Sequence, residues 1–262
     1  MDILSIIGVL LAVAAIFGGQ ILEGGGFASL LQLTAFVIVI GGTIGAVLLS
    51  FPKADLLKAL VLGKTVFSYT AIDVGHLVEE LVSMASLARR DGVLALEGRL
   101  QSMHDPFLKR AIGFVVDGVD TTFARSTLEA HIEAEAEENR VGARVYEAAG
   151  GFAPTLGILG AVLGLIQVME QLASPEDIGP GIAIAFVATV YGVGVANLFF
   201  LPMANKIKRR IILEKERKVL IAEGVLAIQE GLNPRVLEEK LHALTGSYSK
   251  REAGSKVYFK AA

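Results

Sequence analysis

Two apolar segments in the C-terminal half of the chain constrain its fold most. They run from Gly150 to Leu172 and from Gly181 to Leu201, joined by an acidic loop, Ser174 to Pro180. Each is about 20 residues long and contains no Lys, Arg, Asp or His. At a rise of ~1.5 Å per residue, a helix of that length crosses the ~30 Å hydrocarbon layer of a bilayer. The pair is therefore predicted to form a transmembrane hairpin.

Small residues recur at helical spacing in both segments of this hairpin. They are Gly157, Gly160, Ala161 and Gly164 in the first, and Gly181, Ala185, Ala188, Gly192 and Ala196 in the second. Membrane helices pack through small residues, because lipid gives no hydrophobic drive to helix association. Both faces are predicted to contact other helices, with the Thr189 hydroxyl beside the second. Pro154 is expected at the start of the first helix, where its missing N–H costs nothing.

The rest of the chain has the composition of an integral membrane protein. Two further spans are predicted, Ile3 to Gly19 and Leu30 to Phe51, and 53% of all residues are hydrophobic. This fraction is above that of ordinary soluble domains. The formal net charge of −3 does not favour nucleic acid as a partner. The absence of cysteine excludes disulfides and thiolate metal sites.

Basic residues are distributed asymmetrically. All 24 Lys and Arg lie outside the four spans, 11 in residues 52–149 and 13 after Pro202. The two short loops between paired spans have none, and carry Glu23, Glu176 and Asp177 instead. The positive-inside rule then predicts that both termini and the long middle segment are cytoplasmic.

The predicted fold is all-α, with four transmembrane helices, a helical cytoplasmic domain between the second and third, and a helical cytoplasmic tail. Residues 1–51 would hold the first two spans, 52–149 the cytoplasmic domain, 150–203 the hairpin, and 204–262 a helical extension with a flexible end after Thr245. The 3.6-residue period of apolar residues and the turn signals predict the cytoplasmic helices. These are 73–90, 94–103, 106–119, 126–147 continuing into the third span, 205–229, and one starting at Pro234.

No motif for enzymatic chemistry is present, and no cofactor is predicted. Gly63-Lys64-Thr65 looks like the end of a phosphate-binding loop, but Lys58 stands where that motif needs glycine. The four histidines are scattered, without the spacing of a metal site. The only acidic residue within the four predicted spans is Glu170, which lies close to the end of the third. If the protein moves ions, the titrating group must therefore come from another subunit.

Three stretches of the sequence resemble a known family. Residues 153–164, APTLGILGAVLG, resemble the proton-channel signature shared by flagellar stator A-subunits and the ExbB and TolQ energisers. Gly41-Gly42-Thr43 and the stretch from Ala88 to Glu97 are similar to the stator subunits MotA and PomA. Four spans also match the stator, whereas the ExbB and TolQ group has three. The chain is thus identified as a member of the stator A-subunit family.

The resemblance implies a function, partners and a location. A-subunits form a ring, thought to be a pentamer, around the membrane helices of two B-subunits, each with one essential aspartate. Ion flow past that aspartate in the bacterial inner membrane is coupled to torque on the rotor protein FliG.

The resemblance also assigns roles to residues. Arg89, Arg90 and Glu97 would contact the rotor, and Pro154 and Pro202 would transmit torque. The ion path and B-subunit interface would comprise Pro154, Gly157, Gly160, Ala161, Gly164, Ala188, Thr189, Tyr191 and Gly192. Sodium-driven relatives carry threonines where this chain has Ala161 and Ala188, which favours protons.

Other interpretations stay open on the sequence alone. The chain could be a sodium-driven stator, an ExbB-like energiser of an outer-membrane system, or a structural membrane scaffold. Thr189 could bond its hydroxyl to the Ala185 carbonyl. Arg89, Arg90 and Glu97 could be ordinary surface charges or pair with one another, and Pro154 could simply start a helix.

Overall fold

The computed structural model of the protein describes residues 3–26, 30–68, 73–170 and 175–256, and this part of the chain contains helices and no strand. The helices are α1 (Ile3–Leu22), α2 (Leu33–Ser50), α3 (Lys53–Val66), α4 (Val74–Asp91), α5 (Glu97–Leu100), α6 (Pro106–Val116), α7 (Thr121–Glu170), α8 (Pro175–Val195), α9 (Leu201–Gln229) and α10 (Pro234–Lys256). Two π-helical turns interrupt them, Val37–Gly41 within α2 and Ala196–Phe200 between α8 and α9.

Four helices are long and apolar enough to cross a membrane. They are Ile3–Leu22, Leu33–Ser50, Thr121–Glu170 and Gly181–Gln229. The prediction of an all-α membrane protein with four spans is therefore confirmed. The prediction that the acidic helix from Ser126 continues into the third span is also correct, because α7 is one helix of 50 residues.

Two predicted helix boundaries were wrong. The acidic loop was expected to extend to Pro180, but α8 already begins at Pro175. Proline is well suited to the first turn of a helix, and acidic residues there complement the helix dipole. Ser174 lies outside the described residues. The predicted helix 94–103 is instead a 3₁₀ turn, Val93–Leu96, followed by the single turn of α5.

The positions of Pro154 and of the C-terminal helix also differ from expectation. Pro154 does not start a helix but lies deep inside α7. The 50-residue helix supplies enough other backbone hydrogen bonds to continue through it. The flexible end predicted after Thr245 is a helix as far as Lys256. Residues 257–262 lie outside the described residues.

The described residues form two compact units. The first consists of those within Met1–Thr70 and Glu138–Ile211, and the second of those within Ala71–Glu137 and Ile212–Ala262. The second unit has a closed apolar core contributed by α4, α6, α7, α9 and α10. Its fully buried members include Leu81, Ile112, Ile221, Leu237 and Leu241. Gly224 allows α9 to approach α4, since a Cβ there would lie 2.8 Å from Leu81 Cδ1.

The first unit contains the four apolar spans and also α3, which had been assigned to the cytoplasmic segment 52–149. α3 packs on α7 where Gly142 makes room for Leu62, and the Tyr146 hydroxyl donates to the Ala59 carbonyl at 3.0 Å. Within the spans, α2 packs against α8 through a small apolar cluster of Ala35, Val39, Val187 and Ala188.

Candidate functional site

The α7–α8 hairpin is packed to backbone contact. A Cβ built on Gly157 would lie 2.9 Å from the Ala188 carbonyl oxygen and 3.1 Å from Gly192 Cα. A Cβ built on Gly192 would lie 2.5 Å from the Ala153 carbonyl oxygen. Real side chains essentially never come so close to backbone, so only glycine fits at these two positions.

The same close approach continues along both helices. A Cβ on Gly160 would lie 2.9 Å from Ala188 Cβ, and one on Gly164 would lie 3.1 Å from Ala185 Cβ. Ile38 of α2 also reaches Gly160, at 3.3 Å from such a Cβ. The two small-residue stripes therefore pack against each other and against α2.

This packing places several of the predicted site residues at contacts within the chain. Five residues assigned to a B-subunit interface are buried within the chain itself: Gly157, Gly160, Gly164, Ala188 and Gly192. The spacing identified a close-packed face correctly. It could not tell a neighbouring helix of the same chain from a helix of another subunit, because both need the same small residues.

The faces that stay exposed are bulky and apolar. They include Ile158, Val162, Leu165 and Met169 on α7, and Phe186, Val190 and Val193 on α8. Their spacing of three or four residues places each set on one side of its helix. Sequence reasoning missed them, because apolar residues at these positions look the same whether they face lipid or a partner.

Thr189 and Ala161 border these exposed faces, and both are half-buried. Within the described part of the chain, the Thr189 hydroxyl has no hydrogen-bond partner, so the alternative bond to the Ala185 carbonyl is absent. Two other threonines of the spans are hydrogen-bonded within their own helices. Thr43 donates to the Val39 carbonyl at 2.6 Å, and Thr155 donates to the Phe152 carbonyl at 2.7 Å. Thr189 thus offers a free hydroxyl at the edge of an open face.

Pro154 lies inside α7, and Pro202 lies in the first turn of α9. Pro154 has no N–H to donate to the carbonyl of Gly150, four residues earlier. Gly150 in turn packs on α9, since a Cβ there would lie 2.5 Å from Leu201 Cδ2. Leu201 precedes Pro202 and directly follows the π-helical turn Ala196–Phe200. The backbone hydrogen bonding of α7 is interrupted at Pro154, and that between α8 and α9 is irregular at the π-helical turn. The helices can bend most easily at these points.

Tyr191 has a role that the sequence did not indicate. Its hydroxyl donates to the Leu30 carbonyl at 2.5 Å and accepts from the Gln32 N–H at 3.4 Å. Both backbone groups precede α2. Polar backbone near a membrane span must be satisfied within the protein, and the tyrosine does this. Tyr191 is therefore a structural clamp between α8 and the start of α2.

The three charged residues assigned to the rotor contact are all exposed at one corner of the second unit. Arg89 and Arg90 end α4, and Glu97 begins α5. Gly92 makes the corner between them with a φ of 85°, which favours glycine. The Arg90 guanidinium donates to the Asp91 carboxylate, with Nη2 and Oδ2 2.8 Å apart. Arg90 thus pairs with its neighbour and not with Glu97.

An ionic cluster in the second unit joins α6 to α9. The Arg217 guanidinium bonds to the carboxylates of Asp105 and Glu214. Asp105 also caps α6 by accepting from the N–H groups of Phe107 and Leu108. Burial raises the pKa of Asp105, but the bonds from Arg217 and from the backbone outweigh it and leave the pKa below its usual range. Among the described residues, no group of three or more His, Asp or Glu could hold a metal ion.

Comparison with known proteins gives consistent results over the length of the chain. Residues 99–218 match the MotA/TolQ/ExbB proton channel family, and residues 6–92 match the Motility protein A N-terminal domain. Motility protein A of Bacillus subtilis is 37% identical over 242 residues, which are 92% of this chain and 90% of the relative.

Two solved structures are also similar. The structure of Campylobacter jejuni (C. jejuni) MotAB matches with a TM-score of 0.89 and 34% identity, covering 93% of this chain and 96% of that one. The flagellar MotAB stator complex from Bacillus subtilis matches with a TM-score of 0.85 and 37% identity, covering 90% and 93%.

Proposed function

This chain belongs to the MotA/TolQ/ExbB proton channel family, and we propose that it is the A-subunit of a flagellar motor stator. In this role it forms a proton channel with a B-subunit and converts ion flow into torque on the rotor. The similarity to Motility protein A and to two MotAB structures supports the proposal over more than nine-tenths of the chain.

The protein spans the inner membrane with both termini in the cytoplasm. The distribution of Lys and Arg supports this orientation. A contact inside the first unit agrees with it, since Lys206, just after the fourth span, bonds to the Ser5 hydroxyl at the start of α1. The N-terminal end of α1 and the beginning of α9 then lie on the same side of the membrane.

The B-subunit supplies the titrating carboxylate. The observation that carries this proposal is the combination of an open face beside Thr189 with spans that have no acidic residue deeper than Glu170. A carboxylate at the centre of a span costs about 2.5 to 3.5 kcal/mol and is retained only for function. A proton channel built on this chain therefore needs an acid from its partner.

The ion path runs along the half-buried residues at the edge of the hairpin. Pro154 and Ala161, seven residues apart, share one side of α7, and Thr189 lies on α8. The unpaired Thr189 hydroxyl can hydrogen-bond a water molecule beside the partner's carboxylate. Dehydrated sodium needs several oxygen ligands. Ala161 and Ala188 supply none, which favours protons over sodium.

Ring formation and rotor contact follow from the same assignment. Copies of the chain assemble around two B-subunits as a ring, proposed to be a pentamer. Arg89, Arg90 and Glu97 would contact charged residues of the rotor protein FliG. One charge crossing ~150 mV releases roughly 3 to 4 kcal/mol, whereas exposed ion pairs contribute ~0 to 1 kcal/mol. Such contacts can be made and broken with the energy of one ion.

Complementation tests this function. Cells that lack their own stator should swim when they express this chain together with its B-subunit, and should not swim when either is omitted. The matched control is the same pair with the B-subunit aspartate changed to asparagine, which should assemble but not drive swimming. Failure of the intact pair to restore swimming, although it assembles in the membrane, would reject the proposal. The ExbB-like alternative predicts that failure, and the four spans argue against it.

A further inference from the structure

Helix α3 has an exposed apolar face that its position in the chain places at the membrane surface. It begins at Lys53, three residues after Ser50, the last residue of α2, and directly after the turn at Phe51 and Pro52. Since α2 spans the membrane, the first turn of α3 must lie near the cytoplasmic headgroups. This position rests on the proposed topology, with both termini in the cytoplasm, and not on ion coupling.

One side of α3 is fixed to the rest of the first unit. Ala59, Gly63 and Val66 are buried there, and the Lys58 ammonium pairs with the Glu138 carboxylate. The Arg210 guanidinium bonds to the carbonyls of Thr65 and Ser68 at the C-terminal end. The helix is therefore held in one rotational setting, which determines the residues that face outward.

The opposite side exposes large apolar side chains. Leu57, Leu60 and Val61 are 53%, 62% and 63% exposed, and Phe67 is also exposed at the end of the helix. Leu57, Leu60 and Val61 lie three and four residues apart and share one side of the helix, and Phe67 follows on the same side, seven residues after Leu60. An exposed apolar stripe of this kind in water would be costly and marks an interaction surface.

Two lysines lie on the same side of α3, Lys53 before Leu57 and Lys64 between Val61 and Phe67. Lys53 and Lys64 are exposed, and in the described part of the chain neither has an acidic partner, in contrast to Lys58 on the buried side. Eleven residues of helix separate them, about 16 Å along the axis, and the helical repeat places them on the same side. Each ammonium could bind a separate phosphate.

We propose that this face of α3, the stripe of Leu57, Leu60, Val61 and Phe67 with Lys53 and Lys64, binds anionic phospholipid of the cytoplasmic leaflet. The apolar side chains enter the boundary between headgroups and acyl chains, as in amphipathic interfacial helices. The lysines bind lipid phosphates, for which an anionic leaflet has complementary charge. Only the turn at Phe51 and Pro52 separates α3 from α2, so the same leaflet can contact both helices.

The first test measures where the stripe lies. The chain has no cysteine, so Val61→Cys gives one labelling site in the complex with a cysteine-free B-subunit in lipid nanodiscs. A fluorescent probe at this position should be quenched by brominated lipid and protected from aqueous iodide. The control, Ser102→Cys in the second unit, should show the reverse. Quenching of the Val61→Cys probe by iodide alone would overturn the proposal. Quenching by neither would assign the face to another protein chain and would also overturn it.

The second test measures the role of charge. Dioctanoyl phosphatidylglycerol should raise the Tm of the purified complex in neutral detergent. Because each juxtamembrane lysine contributes about a fivefold preference for anionic lipid, Lys53→Gln with Lys64→Gln should raise the half-saturating lipid concentration by about 30-fold. The control, Lys109→Gln with Arg235→Gln, removes the same charge from exposed positions of the second unit and should leave that concentration unchanged. An unchanged concentration in the α3 variant would overturn the lipid assignment.

Discussion

Gly157 and Gly192 meet across the α7–α8 hairpin at backbone distance. A Cβ on Gly192 would lie 2.9 Å from Gly157 Cα and 2.5 Å from the Ala153 carbonyl oxygen. The two helices therefore touch through main chain, without side chains between them. Such contact fixes the hairpin as a rigid pair at this level, while Pro154 and Pro202, farther from the connection between the two helices, leave it able to bend there.

Gly192→Ala should destabilise the hairpin. The added methyl meets a backbone carbonyl that cannot move away cheaply, and overpacking of this kind costs typically 1 to 3 kcal/mol. The Tm of the complex in detergent should fall accordingly. Gly194→Ala is the control, because nothing lies within 4 Å of its Cβ position. An equal loss in both variants would mean that helix contact is not the cause.

Pro154→Leu should leave the complex assembled but stop rotation. Leucine restores the N–H that can bond to the Gly150 carbonyl, so α7 becomes regular at the level where it bends most easily. Assembly should persist because Pro154 is only half-buried. Co-purification with the B-subunit measures assembly, and tethered-cell rotation measures function. The control is Ile158→Leu on the exposed face of α7, which should rotate normally. Normal motility of Pro154→Leu would contradict the role given to this proline.

Thr189→Val should slow the motor without unfolding the protein. Valine has the shape of threonine but lacks the hydroxyl that can hydrogen-bond water in the ion path. No hydrogen bond within the described chain is lost, so stability should change by less than ~0.5 kcal/mol. Thr155→Val, which removes a hydroxyl already bonded to the Phe152 carbonyl, should leave motor speed unchanged. Equal speeds for Thr189→Val and the parent would remove Thr189 from the path.

The Asp105–Arg217 pair should make the second unit less stable in acid. The folded-state pKa of Asp105 is lowered, so its contribution to stability is complete above the ordinary aspartate pKa of about 3.9. That contribution is lost as the pH falls through the lowered folded-state value. Asp105→Asn keeps a residue that caps α6 well and removes only the charge. Its Tm should be lower at pH 7, and the difference from the parent should shrink below about pH 4.

Asp117→Asn, at an exposed carboxylate of the same unit, is the control for the Asp105 variant. It should show no such difference in Tm. A Tm difference for Asp105→Asn that stayed constant with pH would show that the charge is not responsible.

The sequence predicted the helices and spans well, because apolar length and 3.6-residue periodicity are local properties. It failed where the role of a residue depends on which helix packs against it. The spacing of Gly157 and Gly160 revealed a close-packed face but not that α8 of the same chain fills it. The contact of Tyr191 with Leu30 gave no signal, since it joins residues far apart in sequence.

The two prolines show a second limit. Proline usually marks the start or end of a helix, and that preference led to the wrong position for Pro154. In a long helix that is packed on a neighbour, tertiary contacts outweigh one missing hydrogen bond. The exposed stripe of α3 was also missed, because its residues were read as part of a cytoplasmic domain and only the packing of Ala59 and Gly63 shows which side faces out.

The most direct test of the central claim is the rotation speed of tethered cells whose only stator contains this chain and its B-subunit. External sodium is removed at constant proton motive force, and the proton motive force is then collapsed with a protonophore. Proton-driven torque predicts unchanged speed in the first step and arrest in the second. Arrest on removal of sodium alone would contradict the account and would show that the alanines at positions 161 and 188 do not report the coupling ion.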